Sequence, residues 1–143
     1  SIADVALAGP FSTFPGIERH LAMLDGAMEL RFAHGAVRLD PASPAHCFAG
    51  DAPVAGVPLG GVARDLNLMV DPRRFTGRLE PVAGALDVRG GPGCQHLLVL
   101  TAPCAAAGGL PALARHDALW FAAGEPAQWH CAATGWLATI TAR

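Results

Sequence analysis

Asp65 and Asn67 stand two residues apart in Ala63-Arg64-Asp65-Leu66-Asn67-Leu68-Met69. On a strand, residues two apart share a face, so the carboxylate and the amide point the same way, with Met69, while Leu66, Leu68 and Val70 take the other side. Such a pair can bind the donors and acceptors of one small polar ligand. A solvated outer face fits the same periodicity. Arg19 opens an apolar run and shares a face with Leu21 and Met23. Its planar fork matches a carboxylate bidentately; an internal ion pair to Asp51 or Asp65, or plain exposure, is the structural alternative. Upstream, Gly9-Pro10-Phe11-Ser12-Thr13-Phe14-Pro15-Gly16 forms a stiff aromatic loop that delivers Arg19 to its strand. It reads as one wall of a binding pocket. Asp51, after Gly50, reads locally as a turn residue.

Other chemistries leave no signature. There is no G-x-S-x-G elbow, phosphate-binding loop or dinucleotide-binding glycine pattern. Ser12 has no identifiable base, and His20, His34, His96, His116 and His130 read as structural or exposed, so no catalytic residue is assigned. Cys47, Cys94, Cys104 and Cys131 form no C-x-x-C pair, and His46-Cys47, Cys94-x-His96 and His130-Cys131 match no structural zinc spacing. No metal and no cofactor are expected. Trp120-Phe121, Trp129 and Trp136 read as core and barrel-end packing, with a stacking site for a planar ligand as the sharper alternative.

The elements that must position these groups are short and numerous. The 143 residues carry 17 Gly and 12 Pro without a three-residue period, spread among brief apolar runs. That pattern predicts an all-β architecture. Asp25-Gly26-Ala27 between apolar runs predicts a hairpin turn, and His34-Gly35 another. Val54–Val70 is read as two extended pieces broken at Pro58-Leu59-Gly60-Gly61. Arg78–Val82 and Ala85–Val88 are read as separate strands, as are Gln128–Ala132 and Trp136–Thr141, with a turn of helix allowed at Leu113-Ala114-Arg115. The polar stretch from Asp71 sets the boundary between two halves, 1–73 and 74–143. A hydrophobic share of 52% fills a substantial core, and a net charge of −2 without like-charge runs argues against nucleic acid. All ten basic residues are Arg, which reads as compositional bias. No apolar run reaches the ~18 residues of a membrane helix. With no secretory leader, a reducing cytoplasm is the expected location. The start at Ser1, directly on a strand-like run, leaves open a missing N-terminal segment.

Several segments resemble the HutD/Ves family in order and spacing: Ser1-Ile2-Ala3-Asp4-Val5, the Phe/Pro loop, Arg19 with its Leu/Met-rich strand and Asp25-Gly26, Phe48-Ala49-Gly50-Asp51, Asp65-Leu66-Asn67-Leu68-Met69, and Asp117-Ala118-Leu119-Trp120. The Trp-Arg-Asn-Gly-Gly-Gly-type strand that usually opens the family is absent. The resemblance implies a bicupin, two cupin-like β-barrel or sandwich halves in one compact chain, associated with bacterial histidine utilisation. It implies a pocket of Phe11, Ser12, Phe14, Arg19, Asp51, Asp65 and Asn67. Metal-dependent cupins use His-x-His, which this chain lacks, so a metal-free pocket is implied. The expected function is binding of a small carboxylate of histidine catabolism, urocanate or an N-formyl- or formimino-glutamate, that moderates the pathway. An enzyme using Asp65 or a His as acid/base is the alternative, and a protein-interaction module with a filled barrel the third reading. A homodimer is left open.

Overall fold

A computed structural model describes residues 1–89, 91–106, 111–124 and 128–143, with the side chains at 87, 89 and 128–131 outside that description. The readings of Trp129, His130 and Cys131 therefore lie outside the described residues. Every regular element described is a strand. No helix is long and apolar enough to cross a membrane. The chain divides into two units, Ser1–Arg73 and Arg74–Arg143, each with one antiparallel sheet.

The first unit is built on two long strands, β3 (Glu18–Phe32) and β6 (Val54–Val70). β6 is edged by β1 (Ile2–Val5) and the two-residue β2 (Gly9–Pro10). β3 is edged by β4 (Gly35–Leu39) and β5 (His46–Ala49). β3 reaches β4 through a tight turn at Ala33-His34.

Asp25-Gly26-Ala27 is not a hairpin. β3 runs straight through it, and its register against β6 shifts on both sides of Asp25. The glycine signal is a β-bulge. Gly26 takes φ +67°, and a Cβ there would lie 2.9 Å from the Val62 carbonyl oxygen. Glycine thus serves both the left-handed backbone and the close approach of the partner strand. The break expected at Pro58–Gly61 is absent, since β6 runs through it; instead four residues, Gly60 to Ala63, face the single Gly26, and Gly60 and Gly61 take positive φ. The bulge also shifts the phase of burial. Arg19, Leu21 and Met23 are buried before it, and Met28 and Leu30 after it. A period of two with one inserted residue puts odd positions inside on one arm and even positions on the other. Leu21, Met23, Met28 and Leu30 therefore meet in one core with Leu39, Val54 and Ala63.

In the second unit, β7 (Phe75–Arg89) and β10 (Gln128–Ala142) pair along their whole length. The breaks expected at residues 83–84 and 133–135 do not occur. β10 also pairs with β8 (Cys94–Leu100), which pairs with β9 (Ala118–Phe121). Val88, Leu98, Leu100, Cys104, Phe121 and Ala133 make the core. Leu113 sits in an isolated bridge with Cys104, so the helical turn that the sequence allowed at Leu113–Arg115 is absent.

Candidate functional site

Register explains why the chemistry converges in the first unit. Arg19 on β3 pairs across to Phe48 on β5 and to Met69 on β6. Directly opposed residues share a face, so Phe48 and Met69 flank Arg19. One row along, Leu21 faces Asn67, and the next row sets Met23, Asp65 and Ala3 side by side. Asn67 thus lies on the diagonal from Arg19, within reach of a long side chain. Asp65 and Asn67 are 2% and 6% exposed, and Arg19 5%. The polar face of β6 points inward, and the solvated alternative is excluded.

These groups form a chain of hydrogen bonds. Arg19 Nη2 donates to Asn67 Oδ1 at 2.6 Å, and Asn67 Nδ2 donates to Asp65 Oδ1 at 2.7 Å. Only this orientation of the amide presents an oxygen to the guanidinium and an N–H to the carboxyl. Arg19 Nη1 donates to the Ser12 backbone carbonyl at 3.3 Å, and Arg19 Nε is buried without a partner among the described residues. Three Phe rings surround the guanidinium carbon: Phe48, Phe11 and Phe14, with centroids at 5.1, 5.2 and 5.5 Å. Each such contact offsets part of the desolvation cost. Burial nevertheless lowers the Arg19 pKa, against the pull of Asp65. Burial likewise raises Asp65 to about 6, against the opposing field of Arg19. The site thus holds a carboxyl poised to titrate next to a caged cation.

The aromatic loop is fixed by backbone geometry. Phe14-Pro15-Gly16-Ile17 is a β-turn, closed by Ile17 N–H to the Phe14 carbonyl at 3.2 Å, with Gly16 at φ +75°. Proline followed by left-handed glycine is the type II pattern. The loop is pinned to Gly50: Phe14 N–H donates to the Gly50 carbonyl, and Gly50 N–H to the Ile17 carbonyl, both at 2.7 Å. Phe11 is placed by its N–H to the Val54 carbonyl, and its ring lies where a side chain at Gly56 would otherwise go. A Cβ at Gly50 would stand 2.6 Å from the Phe14 carbonyl oxygen and 2.8 Å from that of Ile17. Both obstacles are backbone, so Gly50→Ala should displace the loop and cost about 1–3 kcal/mol. Denaturant unfolding that gives wild-type stability for this variant would show that the loop is not braced here.

The result is an open pocket of about 330 Å³ lined by Phe11, Ser12, Phe14, Arg19, Asp65 and Asn67, with Ser1, Ala3, Val5, Pro10 and Met69. Six of the seven site residues expected from the sequence meet there. Asp51 does not: it is exposed in the turn after β5 and lines a separate groove. Phe48, the third ring around Arg19, went unassigned. Its signal was the resemblance segment Phe48-Ala49-Gly50-Asp51, but only strand pairing puts it against Arg19.

A family model described as HutD matches residues 1–139. An uncharacterized 21.2 kDa protein from the region 3′ of hutC in Pseudomonas putida is 36% identical over 85 residues, 56% of this chain. That match spans 43% of the relative's length, under half of it. Among solved structures, HutD from Pseudomonas fluorescens SBW25, in a formate condition, aligns with TM-score 0.84 and 27% identity over 99% of this chain and 77% of its own. A conserved protein of unknown function from Pseudomonas aeruginosa PAO1 aligns with TM-score 0.74 and 33% identity over 99% of this chain and 79% of its own.

Proposed function

Because the chain belongs to the HutD family, we propose that its first unit binds a small carboxylate metabolite and thereby moderates histidine utilisation, the ligand being urocanate or an N-formyl- or formimino-glutamate. The observation that carries this reading is the buried Arg19, ringed by Phe and placed on the pocket beside the Asp65–Asn67 pair. A planar guanidinium in a low-dielectric pocket selects a carboxylate. Asp65 and Asn67 read the ligand's polar end. The relative's position beside hutC supports the link to histidine utilisation. Each unit is read as one cupin-like half of a bicupin.

A thermal-shift panel of formate, urocanate, N-formylglutamate and formiminoglutamate tests it. A ligand present at a hundred times its Kd stabilises the folded state by about 2.7 kcal/mol, so at least one of the four should raise Tm by several degrees. No shift with any of them would overturn the proposal. One observation favours an enzyme as the second reading: a carboxyl held at about 6 suits general acid or base work near neutrality. Turnover of a stabilising ligand, lost in Asp65→Asn while binding persists, would establish it.

A further inference from the structure

The pocket uses one face of β3, and the alternate residues of the same strand are left over. Glu18 and His20 lie two apart and take the face opposite Arg19. Register sets Cys47 of β5 directly across from His20, so the thiol joins that face. His20 Nε2 stands 3.0 Å from Glu18 Oε1 and 3.9 Å from Cys47 Sγ. One ligand atom from each of the three residues falls within 4.8 Å of the others. Tetrahedral bonds of ~2.0 Å to nitrogen and oxygen and ~2.3 Å to sulfur require ligand separations of roughly 3.3–3.6 Å. The two His20 separations lie within a few tenths of an ångström of these values.

We propose that Glu18, His20 and Cys47 form a binding site for a divalent cation of the zinc class. An imidazole, a thiol and a carboxylate together suit a borderline-soft ion over calcium or magnesium. Three protein ligands leave a fourth position. Glu18 and Cys47, though not His20, also line an open groove of about 490 Å³ with Asp51. Cys47 is exposed. No linear motif announces the site, because Glu18-x-His20 and Cys47 meet only through strand pairing.

Cobalt(II) titrated into the full chain is the probe. The expected result is one equivalent bound, with a thiolate-to-cobalt charge-transfer band in the near ultraviolet that zinc(II) removes by competition. Cys47→Ser should lose the band, His20→Ala should weaken binding at least tenfold, and Cys94→Ser should change neither. Because Cys47 is exposed, its Ser variant should melt like the wild type without metal and should keep any carboxylate response at Arg19. Absence of the band in the wild type, or its persistence in Cys47→Ser, would overturn the proposal and leave the carboxylate reading untouched.

Discussion

Arg19→Ala should abolish carboxylate-induced stabilisation and lower the stability of the ligand-free protein by about 3–5 kcal/mol. Removing one member of a buried charged network leaves its partners unpaired, which costs that much in comparable cases. Here Asn67 Oδ1 would lose its 2.6 Å donor, the Ser12 carbonyl its guanidinium, and three Phe rings the cation they enclose. Asp65 would also lose the nearby positive field and rise above its value of about 6. Arg19→Lys separates charge from geometry. Lysine keeps one positive charge but has no planar fork, so the stability loss should shrink while carboxylate affinity falls at least tenfold. Chemical denaturation and the ligand panel read the two effects separately. A ligand shift of wild-type size in Arg19→Ala would remove Arg19 from the binding site.

The residue pattern carried the all-β class and the sharing of faces, while the pocket as a set came from the family resemblance. A period of two is local, so Asp65 with Asn67 and Arg19 with Leu21 could be assigned to faces without knowing any partner strand. What failed were inferences that needed a partner. Asp-Gly between apolar runs describes a hairpin and a bulge equally well, since both need a residue at positive φ. Only the approach of Val62 to Gly26 decides between them. Gly60 and Gly61 were misread as a break on the same ground. Phe48 was invisible as a site residue because its contact with Arg19 is cross-strand, and Glu18, His20 and Cys47 were invisible as a cluster for the same reason. Asp51 went the other way. It sits three residues from Phe48 in sequence, but the turn at Ala49–Ala52 carries it off the pocket and onto the groove.

Asp65 should contribute a loss of stability as the pH rises from about 4 to about 6, opposite in sign to the carboxylates that drive acid denaturation. Asp65 is raised to about 6 in the folded state, chiefly by burial, whereas in the unfolded chain it titrates near the ordinary value of about 3.9. Between those values the folded protein holds a proton that the unfolded chain has released. Stability then falls with increasing pH and levels off once Asp65 is ionised in both states. A separation of about two pH units corresponds to a change on the order of 3 kcal/mol. Asp65→Asn carries no titrating group, so the difference between its urea-unfolding profile and that of the wild type isolates this step. Parallel profiles from pH 4 to 8 would show that Asp65 does not titrate in this window. The same proton governs binding. An ionised Asp65 repels a ligand carboxylate in the same small pocket, and a neutral one can donate a hydrogen bond to it. Affinity for the carboxylate should therefore rise as the pH drops from 7.5 towards 5.5, by at most tenfold per unit, and Asp65→Asn should erase the dependence.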